Sequence, residues 1–199
     1  MDDPYYSYAP TVVMARPLAL AGFMGARVPL TGALLSAQTG LPFIDLDRHV
    51  EHDAGRSLVQ LVHDRGAEAV AAHERRVLGR VLREQPPPII ALGHGTLTDP
   101  RTAAMLGAAQ IVFIRRPLDE LFVQLTADIA EQGLGRFWPL AHRRPESAAA
   151  LAELYGPHSG GYERAAWIIE ASGQHPQRVA RIVLDYLASS SGSITTAVP

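Results

Sequence analysis

The sequence predicts an α/β protein, a five-stranded parallel sheet with helices on both faces. Short, continuously apolar runs alternate with longer helical stretches, as they do when parallel strands are buried on both faces. The first three runs lead into turn or acidic signals: Gly22-Phe23-Met24-Gly25, Asp45-Leu46-Asp47 and Gly93-His94-Gly95. With 199 residues, 47% hydrophobic and 19% charged, the chain is long enough for one domain with a substantial core.

Residues 1–16 are polar, set Tyr5, Tyr6 and Tyr8 between prolines and show no period, so they read as a disordered arm. Met14 offers an alternative start to Met1. The folded domain is expected over residues 17–188. Leu18–Gly22 reads as a buried strand and Leu30–Thr39 as a helix stopped at Gly40. Phe43–Leu46 is the second strand, and Asp47 is in place to cap a helix that follows it. Glu68–Glu84 is a long helix ended by Pro86-Pro87-Pro88. Ile89–Leu92 and Ile111–Ile114 are the third and fourth strands. Leu118–Glu131 and Ser147–Tyr155 read as helices, Trp167–Glu170 as the fifth strand and Gln177–Leu187 as the closing helix. The Gly-, Pro- and Arg-rich stretch of about 133–146 reads as a lid. Residues 189–199 read as a disordered tail.

Composition excludes several functions. The formal net charge is −2, so no basic field gathers nucleic acid or anionic lipid. Cysteine is absent, which removes disulfides and thiolate catalysis and fits a reducing, cytoplasmic setting. No apolar run reaches membrane-spanning length and no secretory signal is visible. All 18 Lys-plus-Arg residues are arginine. Schiff-base chemistry is therefore excluded, and no lysine can hold a phosphate.

In such sheets ligands sit at the carboxyl ends of the strands, so the three turns named above converge on one edge. The first is placed like a phosphate loop, whose pattern is Gly-x-x-x-x-Gly-Lys-Ser/Thr. Gly22 and Gly25 stand. Arg27 then takes the last glycine position, Val28 the lysine position and Pro29 the hydroxyl position. Arg27 has a Cβ where the loop needs unusual dihedrals, Val28 pairs with nothing, and Pro29 deletes an amide. Losing one preorganised donor in such a site costs about 3–4 kcal/mol of transition-state stabilisation. Rescue would need Arg27 or Arg16 to swing in as a substitute charge.

These residues resemble shikimate kinase from about Leu18 to Leu187. The resemblance runs through GFMGA at 22–26, Gly32, LPFIDLDRHVEHDAGRSLVQLVHDRG at 41–66, IIALGHGTLTDP at 89–100, WPL at 138–140 and YERA at 162–165. It implies a nucleoside-monophosphate-kinase-like fold with a lid and a pocket for shikimate beside the nucleotide. It further implies that Asp45 is linked to magnesium through its surroundings and that Asp47 holds substrate hydroxyls. Where the family has three glycines, this chain has Gly93-His94-Gly95. The family's arginines fall on Ala71, on Trp138 (with Arg136 two residues earlier) and on His158. Each missing charge-assisted bond removes about 1.5–3 kcal/mol of anion binding.

The leading expectation is a degenerate relative that binds a small ligand or a protein partner and regulates, with no cofactor. ATP and magnesium enter only if kinase activity persists. Sixteen residues precede Pro17, too few for a helix-turn-helix, so regulation would run through a partner. The alternative is an enzyme that reuses Asp47, His94 and His158 for ATP-independent acid–base chemistry, with Asp47 raising the pKa of His94. The ligand-binding set is Asp45, Asp47, Gly93, His94, Gly95 and His158. A metal reading draws on Asp45, Asp47 and the two imidazoles. The plain structural alternative has Asp47 capping a helix, Asp45 bonding loop amides and His94 filling a glycine site. A residual kinase using arginine for lysine is the third reading.

Overall fold

The computed structural model describes residues 11–133, 144–189 and 194–197. Its strands are β1 (Thr11–Met14), β2 (Leu18–Ala21), β3 (Phe43–Asp45), β4 (Ile89–Ala91), β5 (Gln110–Arg115), β6 (Trp167–Glu170) and β7 (Ile194–Ala197). Its helices are α1 (Val28–Thr39), α2 (Leu46–Ala54), α3 (Leu58–Arg65), α4 (Ala67–Val81), α5 (Pro100–Met105), α6 (Leu118–Gln132), α7 (Ala148–Tyr162) and α8 (Pro176–Ser189). Five strands form one parallel sheet in the order β3-β4-β2-β5-β6. From the central β2 the chain goes to the edge strand β3, returns to β4 beside β2, and then crosses to β5 and β6 on the other side. That reversal opens a crevice at the carboxyl end of β2.

The strands are apolar throughout because helices cover both faces. Leu18, Leu20, Ile89, Ile90 and Val112 have no exposed surface. Helix α1 packs on α8, α4 on α2, α3 and α5, and α6 on α7. Local signals set the helix starts. Ser57 and Gln60 form a reciprocal capping box on α3. Asp99 caps α5 ahead of Pro100, and Ser147 caps α7.

Four expectations are corrected. The terminal segments 1–16 and 189–199 are not unstructured where described, because β1 pairs antiparallel with β7, Thr11 opposite Ala197 and Met14 opposite Ile194. Val12 and Met14 of β1 are buried in the core. Helix α2 is capped by Asp45, which accepts from the Arg48 amide at 3.3 Å, and Asp47 stands in the first turn instead. Helices α2, α3 and α5 fill stretches in which no complete helix is drawn from the pattern. Helix α7 runs through Gly156-Pro157 to Tyr162, beyond the expected end at Tyr155. Most of the expected lid, with Arg136 and Trp138, lies outside the described residues.

Candidate functional site

The turn after β2 is built by backbone geometry. Gly25 adopts φ +86°, and a Cβ there would collide with the Leu121 carbonyl of α6. Only glycine fits both demands. Arg27 also adopts a left-handed conformation, φ 56°, ψ 38°, and precedes α1 without a side-chain cap. For a residue with a Cβ this costs about 1–2 kcal/mol. Val28 is buried and folds inward, its Cγ2 2.5 Å from where a Cβ on Gly22 would stand. Pro29 occupies the first turn of α1. The Arg27 guanidinium turns toward α6, where Nη2 donates to Asp128 Oδ1 at 3.2 Å. Gln124 Nε2 donates to the same oxygen at 2.7 Å.

Beside this turn lies a cavity of about 420 Å³ whose walls combine Phe23, Val28 and Leu92 with Arg27, Asp47, His94, Asp128 and Glu131. The structure therefore brings together Gly22, Gly25, Arg27, Val28, Pro29, Asp47 and His94. It does not bring in Asp45, whose carboxylate faces the first turn of α2, 3.4 Å from Arg48 Nε. Gly93 backs the site from below: a Cβ there would meet Asp47 Oδ1 at 2.5 Å. Gly95 and His158 lie to one side, where a Gly95 Cβ would be 4.0 Å from His158 Cε1.

His94 and His158 belong to an aromatic cluster, with ring centroids 5.4 Å apart. Phe23 packs on His158 at 5.5 Å and on Tyr155 at 5.1 Å. Tyr162 stacks on Phe113 and donates to the His94 carbonyl at 3.0 Å. His158 Nδ1 is 2.8 Å from Thr98 Oγ1. Burial, with the nearby His158 ring, pushes His94 down to about pKa 3, and burial lowers His158 too. The expected elevation of His94 by a carboxylate is thus corrected. His94 is neutral at physiological pH, held by packing as a polar wall, not poised as a proton shuttle.

Below this cluster, Thr96 Oγ1 donates to Glu74 Oε1 of α4. Burial pushes Glu74 up to about 7, and Asp99 adds to the rise. The expected metal set does not form: among the described residues, no three His, Cys, Asp or Glu side chains gather as ligands.

A second cavity, about 470 Å³, shares Gly25 and Arg27 with the first and extends to Arg116, Glu120 and His175. Arg116 is engaged there by Glu120 at 3.4 Å and the Gln174 carbonyl at 2.5 Å. Arg16 precedes β2 at the amino edge of the sheet, opposite the cavities, so it is not the substitute charge. Arg27 alone of the two stands at the site, and it is paired. At the pattern's lysine and hydroxyl positions the loop carries Val28 and Pro29, and Pro29 has no backbone amide to donate. Asp128, Glu131 and the phenol of Tyr162 escape sequence reasoning, because only the packing of α6 and α7 brings them near the loop. The three-to-four spacing of Gln124, Asp128 and Glu131 is a weak signal for one helix face.

A family model described as shikimate kinase matches residues 24–188. The shikimate kinase of Paramagnetospirillum magneticum is 30% identical over 175 residues, covering 87% of this chain and 85% of that protein. The Streptomyces avermitilis shikimate kinase is 28% identical over 175 residues, covering 85% and 94%. With the Caulobacter vibrioides enzymes the identity is 37%, but the match spans only 46% of their length. The solved shikimate kinase from Acinetobacter baumannii in complex with shikimate superposes with a TM-score of 0.75 at 19% identity, over 88% of this chain and 94% of that one. The Bacteroides thetaiotaomicron shikimate kinase gives 0.76 at 21%, over 89% and 99%. These two likenesses concern the fold.

Proposed function

This chain belongs to the shikimate kinase family, and we propose that it is a member that binds a small ligand beside its phosphate loop without transferring phosphoryl groups from ATP. The observation that carries the proposal is the loop itself. Val28 and Pro29 replace the charge and hydroxyl that phosphoryl transfer draws on. Arg27, the one arginine lining the first cavity among the described residues, is held by Asp128. Among the described residues, a polyphosphate entering this cavity meets Asp47, Asp128 and Glu131 against a single guanidinium.

The same walls suit a small hydroxylated ring. Asp47 accepts hydroxyl protons, His94 supplies a neutral imidazole, and Phe23, Val28 and Leu92 cover an apolar face. Occupancy would be read by a protein partner. The family's own reaction is the second reading, favoured by the match across residues 24–188 and by the presence of Asp47. Calorimetric titration of the full chain with magnesium ATP, followed by an ADP-release assay with shikimate, separates them. No heat and no shikimate-dependent ADP are expected. Micromolar binding with turnover would replace the proposal by kinase activity.

A further inference from the structure

We infer that Asp128 is a specificity-determining residue that makes the loop refuse anions by occupying the guanidinium of Arg27. The inference rests on the ligand-site reading above and extends it by naming what the site excludes and which residue excludes it.

Arg27 lines both cavities, so its guanidinium stands on the boundary between them. Its strained backbone directs the side chain toward α6, where Asp128 accepts from Nη2 at 3.2 Å. The Asp128 side chain is only 12% exposed, against 33% for Arg27, so the pair is only partly screened by water. Gln124, one turn earlier on α6, donates to the same Asp128 oxygen and fixes its rotamer. Around the first cavity, Asp47 and Glu131 add two further carboxylates. An incoming phosphate must therefore displace a preformed carboxylate and then sit among three negative charges. A neutral or cationic hydroxylated ligand meets neither obstacle. A carboxylate fixed against a site's cation is a repulsive device in the usual sense of specificity.

The test uses inorganic pyrophosphate as the probe on the full chain and two variants. Asp128→Asn keeps the shape and an amide oxygen for Gln124 and removes the negative charge that holds Arg27. It is expected to bind pyrophosphate about ten- to hundredfold more tightly than the unmodified chain, the worth of one charge-assisted bond. Arg27→Ala/Asp128→Asn is expected to lose that gain. Asp128→Ala, checked by circular dichroism for an unaltered fold, provides a second route to the same gain. Folded Asp128 variants that bind no better than the unmodified chain would overturn the inference. So would a gain that survives the loss of Arg27, or tight pyrophosphate binding by the unmodified chain. Failure of the ligand-site reading is seen separately, as magnesium ATP binding with shikimate-dependent turnover by the unmodified chain.

Discussion

His94 and Glu74 are buried titratable groups on opposite sides of one turn, and they pull stability in opposite directions with pH. His94 is lowered to about 3 in the fold from 6.5. The unfolded chain therefore takes up the proton first, and stability falls as pH drops below about 6.5. Glu74 is raised to about 7 from 4.5. Here the folded state holds the proton, so stability is full below about 4.5 and falls as pH rises toward and past 7. Between pH 7 and 5 each effect is about 2 kcal/mol, and the two oppose. Glu74→Gln should therefore make the chain lose about 2 kcal/mol more than the unmodified chain over that drop. His94→Gln should reverse the sign. Urea unfolding at both pH values checks this, and parallel curves for all three proteins would refute it. At the same scale, Gly25→Ala meets a positive φ and the Leu121 carbonyl together. It should cost about 2 kcal/mol or more, measured by chemical denaturation. The special backbone at Gly25 and Arg27 is legible in the sequence, because the loop pattern marks it. The neutrality of His94 is not, since it depends on burial and on the His158 ring brought beside it by α7.

Among the elements, α4 and α2 are tied by a network that no local pattern announces. Asp53 at the end of α2 receives His73 at 2.9 Å, Arg76 at 2.9 Å and Arg80 at 2.9 Å from α4. The His73 hydrogen bond, with help from both arginines, holds the Asp53 carboxyl down at about 2. Read along the sequence, Arg75, Arg76, Arg80 and Arg83 form a solvated stripe paired with Glu74 and Glu84. In the fold, Glu74 points inward and the arginines reach other elements: Arg75 meets Asp99 at 2.5 Å. Asp53→Asn should cost about 1 kcal/mol, since two of the partners, Arg76 and Arg80, are more than half exposed. The loss should shrink in molar salt as screening removes the difference, and thermal melts at low and high salt test it. The contribution is present above the ordinary carboxylate range and disappears as pH falls toward 2. Helix α7 shows the converse case, a local stop signal overridden. Pro157 interrupts its hydrogen bonding, yet the helix continues because Tyr162 is buried on Phe113 at its far end.

At the scale of the whole molecule, the two chain ends meet as β1 and β7. Deleting residues 190–199 removes the strand partner of β1 and is expected to loosen β1, with Val12 and Met14, from the core. The expected loss is about 2 kcal/mol of apolar burial, or a melting temperature about 4–8 °C lower for a chain of this size. An unchanged melting curve would show that the pairing contributes nothing. Among the described residues, no helix is long and apolar enough to cross a membrane.

The sequence by itself determined the parallel sheet and the departure of Arg27, Val28 and Pro29 from the phosphate-loop pattern. Each of these is written locally, in strand-length apolar runs and in turn residues whose backbone demands are particular. Only the tertiary structure decided that Asp128 captures Arg27 and that β1 finds β7. Those pairings join residues distant in the chain, Arg27 to Asp128 and Thr11 to Ala197. Their energy arises when packing brings two side chains or two strand edges within bonding distance, and no window of neighbouring residues encodes that.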